Sequence, residues 1–202
     1  LYGAAAAPGL AKIAVGPVPV APGGFHPRPL AAGSGWSVSD VVCTRGPSDA
    51  VFEERADEVS VALVLSGTFE YETPHGRALM TPGSLLLGNA GDCFVCGHAH
   101  GVGDRCLSFR FLPAFFDEVA NAAGAPGAWR GFRAPRLPPL RELSGLVARL
   151  TAAVDGASGP AWEELAVAIA GDVVQAAARV RPPALRLPGA AEARVARVVR
   201  AI

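Results

Sequence analysis

The chain has 202 residues, half of them hydrophobic, with 18 basic against 18 acidic side chains and a formal net charge of zero. That is enough apolar material for an ordinary core, which excludes wholesale disorder, and no stretch approaches the ~20 apolar residues of a membrane-spanning helix. The balance is uneven: the first 120 residues carry seven basic and twelve acidic side chains, the remainder eleven and six. Two parts with different tasks are expected, and the second leaves only a weak footprint for nucleic acid.

Residues 1–35 open with "LYGAAAAPGLAKIAVGPVPVAPGG", which lacks a basic lead and is interrupted by Pro8, Pro17 and Pro19. It reads as an extended arm rather than a signal peptide. Residues 36–112 carry β-signals. "WSVSDVVC" alternates with period two, and "VSVALVLSGTFEYET" reads as a hairpin turning at Ser66-Gly67. Turn dipeptides follow at His75-Gly76, Pro82-Gly83 and Ala90-Gly91, and "CFVCGHAH" and "RCLSFRF" read as two strands joined across Gly101–Gly103. Short strands with frequent turns predict an antiparallel β-barrel or sandwich.

Residues 113–188 change to helical spacing. A short helix is expected in "PAFFDEVANAAG", and Leu140, Leu143, Val147, Leu150 and Val154 mark a second. A third begins near a Ser158 cap and Pro160, with Glu163 and Glu164 in its first turn. Its stripe of Leu165, Ile169, Val173 and Ala176 makes helix 160–180 the expected homodimer surface. Residues 189–202 start one more helix.

The stretch "VALVLSGTFEYETPHGRALMTPGSLLLGNAGDCFVCGHAHGVGDRCLSFRF", residues 61–111, resembles the cupin-like sensor domain of the AraC family of bacterial transcription regulators. The resemblance rests on Gly67, Phe69 and Tyr71, on Leu79 to Leu87 with the Gly91 turn, on the following helices, and on "EARVARVVRAI". It covers roughly residues 36–202 and implies an α+β fold: a cupin-like antiparallel β-barrel followed by a helical pair. It also implies a non-enzymatic domain that senses a small-molecule or metal effector. DNA would be read only through a helix-turn-helix domain missing from these residues, and 189–202 would be its truncated start. Dimerisation is likewise implied by the family.

"CFVCGHAHGVGDRC", residues 93–106, gathers three cysteines, two histidines and an aspartate. Three thiols this close do not form a secreted disulfide framework, so a reducing cytoplasm is expected. On one strand Cys96, His98 and His100 would share a face. With a three-residue loop, Cys106 joins them in a Cys₂His₂ set suited to zinc; a two-residue loop spoils the convergence. His98, His100 and Asp104 also resemble the cupin metal motif, a set suited to iron, with Asp in place of Glu. Cys43 is a fifth candidate, because its strand could lie beside the cluster. A hairpin with buried thiols and no metal, or a Cys93/Cys96 redox pair, are the competing uses. The rival class is a small cupin metalloenzyme of dioxygenase or isomerase type using His98, His100 and Asp104. Arg105 and Arg110 are candidates to greet an acidic effector.

Overall fold

Among the described residues, alternating side chains carry the chain through nine strands ahead of a helix. These are β1 (Phe25–Gly33), β2 (Trp36–Cys43), β3 (Phe52–Arg55), β4 (Val59–Gly67), β5 (Phe69–Thr73), β6 (Gly76–Met80), β7 (Leu85–Gly88), β8 (Cys93–Gly97) and β9 (Asp104–Phe111). Helix α1 (Pro113–Ala122) follows, then the short strand β10 (Arg136–Leu137), a 3-10 turn at Arg141–Leu143, and helices α2 (Ser144–Asp155), α3 (Trp162–Arg179) and α4 (Gly189–Ala201). The structure is a computed structural model and describes residues 24–125, 129–156, 161–180 and 189–201.

The strands form two antiparallel sheets. The larger has the order β1-β2-β9-β4-β7-β10 and the smaller β3-β8-β5-β6. The α+β class holds, with the antiparallel β-part ahead of the helices, and the strands make two facing sheets rather than one closed ladder.

Two expected hairpins are corrected. Strand β4 pairs with β7 and β9, whereas β5 pairs with β6 and β8, so the chain crosses between sheets at Gly67. Likewise β8 belongs to the small sheet and β9 to the large one. The reason lies in β4, whose faces are both buried: Val61 and Leu63 pack on the helical side, Ala62 and Val64 toward the other sheet. A strand buried on both faces belongs in the middle of a sheet, with both edges taken.

The large sheet therefore has two apolar faces. Leu63, Leu107, Phe109 and Phe111 share a core with Phe116 of α1, Leu146 and Leu150 of α2, and Leu165, Ile169 and Val173 of α3. Each such side chain contributes about 1.5–3 kcal/mol by leaving water. On the opposite face Ala62, Val64 and Cys106 meet Phe69, Tyr71 and Met80 of the small sheet.

Helix α3 carries Glu163 and Glu164 in its first turn and Arg179 in its last, which complements its dipole. The expected Ser158 cap and Pro160 lie outside the described residues, as does the arm before Gly24. From Phe25 onward the chain is the edge strand β1, paired to β2. The α3 stripe expected to meet a second copy is turned inward: Leu165, Ile169, Val173 and Ala176 are all buried within the chain. Helix α4 occupies the expected place, with Ala196 buried. No helix among the described residues is long and apolar enough to cross a membrane.

Candidate functional site

Between the sheets lies a cavity of about 110 Å³. Period-two alternation divides β9 between two environments: Asp104, Cys106, Ser108 and Arg110 line the cavity, while Leu107, Phe109 and Phe111 face the helices. Phe52 and Phe94 of the small sheet, with Phe69 and Tyr71, make the facing wall aromatic. Phe25 stacks on Phe52 with centroids 5.6 Å apart, joining the edges of the two sheets.

The polar end of this cavity is assembled from three strands. Cys43 ends β2 directly across from Asp104 of β9. The chain leaving β8 brings His98 over them, and His98 is 7% exposed. Its Nε2 lies 2.6 Å from Asp104 Oδ2, and the ring is also hydrogen-bonded to Cys43. One donor atom from each of Cys43, His98 and Asp104 falls within 4.8 Å of the other two. The Cys106 thiol donates to Asp104 Oδ1 at 3.3 Å.

Burial by itself would pull the His98 pKa down. The hydrogen bond and charge of Asp104, with the contact to Cys43, outweigh it and hold the group at about 9. Burial pushes the Cys96 and Cys106 thiols well up, so neither is poised as a reactive thiolate. All four cysteines are free thiols, with Cys93 exposed and Cys96 partly so.

Of the predicted Cys₂His₂ set, Cys96, His98 and Cys106 come to the cavity. His100 is engaged elsewhere: its Nε2 is 3.3 Å from Glu70 Oε1, and the Glu192 carboxylate of α4 lies within 4.8 Å of both. The alternation rule does not reach His100, because β8 ends at Gly97 and residues 98–103 form a loop. The iron set of His98, His100 and Asp104 is divided for the same reason. Cys43 and Asp104 are the members that sequence reasoning placed lower. The available signal was that Cys43 shares a strand face with Val41, which also lines the cavity. Arg110 lines the cavity too, whereas Arg105 points to the helical side and holds Asp40.

These residues can do two things chemically. The aromatic wall and the partly open volume before it can take a small apolar ligand. The thiol, imidazole and carboxylate can hold a metal of borderline softness.

No protein-family model matches the chain, and no curated protein matches it. Solved structures similar to part of this chain include a cupin superfamily protein from Desulfitobacterium hafniense, at 14% identity and TM-score 0.40 over 47% of this chain and 84% of that one. A Ralstonia eutropha protein that carries the name of a mannose-6-phosphate isomerase is 20% identical, at TM-score 0.40 over 47% and 91%. The cupin_2 domain of an XRE family transcriptional regulator from Enterobacter cloacae is 14% identical, at TM-score 0.39 over 44% and 97%. At these scores no role passes from any of them to this chain.

Proposed function

We propose that this chain is the effector-sensing part of an AraC-like transcription regulator, and that its effector is a small aromatic or short apolar molecule held between the two sheets. What carries the reading is the two-faced large sheet. In β9 the cavity residues Cys106 and Ser108 alternate with Leu107 and Phe109, which are wholly buried under the helices. A ligand that spreads the sheets must move the surface on which α1 and α3 rest. Binding that distinguishes two settings of that surface is what a sensor requires.

The volume limits the effector. A cavity of roughly 150 Å³ in another protein accepts benzene, so this one suits a single ring or a short chain. In this reading DNA is bound by a helix-turn-helix domain outside these residues, the chain pairs with a second copy, and it works in the cytoplasm.

The test is titration of the isotope-labelled protein with benzene and with phenol, followed in amide spectra. The reading expects saturable shifts at Phe94 and Ser108 together with shifts in α1 and α3, and loss of both in Ser108→Leu. Shifts confined to the cavity would remove the sensor, and no saturable binding by any ring-sized probe would remove the effector site.

A further inference from the structure

We infer that Cys43, His98 and Asp104 form a site for one divalent metal ion, zinc by ligand chemistry, with its fourth position open to the cavity. The site shares the cavity of the effector reading but is assembled from its own donors, and it differs from the ligand set expected from sequence.

Three observations converge on it. The first is geometric: a thiol sulfur, an imidazole nitrogen and a carboxylate oxygen lie within 4.8 Å of one another. Cys43 and Asp104 are fixed by a cross-strand register, and His98 is delivered from the opposite sheet. Such a set needs only small side-chain adjustments to reach zinc bond lengths of about 2.0–2.3 Å.

The second is burial. The side chains of His98 and Asp104 are only 4% and 7% exposed, in a cavity whose other walls set Phe52, Phe69 and Phe94 beside charged residues such as Arg45, Glu54 and Arg110. A polar pair so enclosed loses hydration that one mutual hydrogen bond only partly restores, and apolar side chains of similar volume often serve stability equally well. A stability role alone leaves this pairing poorly explained, and metal binding gives it a use.

The third is the surround. Cys106 donates to Asp104 Oδ1, which leaves Oδ2 turned toward His98 and fixes the carboxylate as outer partners of metal ligands do. Among the described residues three protein donors meet at the point, and all three line the cavity. Three protein ligands with an open position is the arrangement of zinc sites that accept an exogenous ligand. Metal binding takes the thiolate and neutral-imidazole forms of such ligands, and any proton they carry leaves to solvent.

The experiment uses cobalt(II) as a spectroscopic stand-in, with zinc affinity measured by chelator competition. The wild-type chain should take up one cobalt with tetrahedral visible bands and a thiolate-to-cobalt charge-transfer band. Azide should perturb those bands through the open position. Cys43→Ser should lose the charge-transfer band, and Cys43→Ser and Asp104→Asn should each weaken zinc by about 100-fold or more, beyond the ~10–100-fold of an outer partner. His100→Ala and Cys93→Ala, which alter only groups outside the set, should stay within about twofold. Circular dichroism of each variant separates loss of a ligand from loss of the fold. The inference is overturned by a folded wild type that loses zinc to a weak chelator, by a charge-transfer band that survives Cys43→Ser, or by metal loss in His100→Ala. Benzene binding by a chain that holds no metal would sink this inference alone and leave the effector reading standing.

Discussion

Arg105 grips Asp40 through two hydrogen bonds, Nε to Oδ1 at 2.9 Å and the terminal nitrogen to Oδ2 at 3.0 Å, while Arg28 reaches the same carboxylate at 2.8 Å. The three residues sit on β9, β2 and β1, and Arg105 also lies 3.9 Å from Asp155 at the end of α2. Asp40→Asn should destabilise the chain by about 2 kcal/mol, less than a fully buried pair because both arginines are partly exposed. Burial acts to raise the Asp40 pKa, but the two arginines prevail and hold it below the ordinary 3.8. A depressed carboxylate contributes stability above its unfolded pKa and loses it as the pH falls through the folded one. Urea denaturation of wild type and Asp40→Asn should therefore differ at pH 7 and converge as the pH drops below about 4. An unchanged difference at low pH would mean the carboxylate charge is not what matters.

Gly67→Ala should damage the fold and the metal site together. Gly67 has φ +79°, and a Cβ there would stand 2.3 Å from the Gly103 carbonyl oxygen and 2.7 Å from Asp104 Cα. The turn strain and the forced shift of Asp104 should cost about 1–3 kcal/mol. A thermal melt and a zinc competition on the same sample measure both effects.

Leu165→Asp should unfold rather than dissociate. Leu165 is 5% exposed and packed within the chain's own core, so an unpaired buried carboxylate costs several kcal/mol. Size exclusion with a parallel melt decides: a well-folded monomer at unchanged melting temperature would restore this face of α3 to a partner surface.

Phe109→Ala should uncouple the cavity from the helices. Phe109 lies 6.5 Å from Trp162 at the start of α3 and 6.3 Å from Phe111, centroid to centroid. Its truncation should cost about 3–5 kcal/mol. Phenol should still shift Ser108 in the spectra, while the shift at α3 shrinks.

Much of the β-part was legible because alternation is a local property. β2 was readable from "WSVSDVVC", and the helices from their apolar spacing. The pairing of strands was not. Ser66-Gly67 has the composition of a hairpin turn, and only the burial of both faces of β4 shows that the chain crosses sheets there. The same gap explains the site. Cys96, His98 and Cys106 were found by density in sequence, but His100 was assigned by carrying strand periodicity past Gly97, where the strand ends. Cys43 lies fifty-five residues from His98 in the chain and meets it through pairing order, which period-two patterns do not encode.

The alternation along β9 also divides the labour of future change. Substitutions at positions 106, 108 and 110 redraw what the cavity accepts, and those at 107, 109 and 111 redraw how firmly the helices answer. Because neighbouring codons serve opposite faces, selectivity and responsiveness can be retuned one at a time on a single strand. A designer seeking a biosensor for another small ring has three positions to vary and three to leave alone.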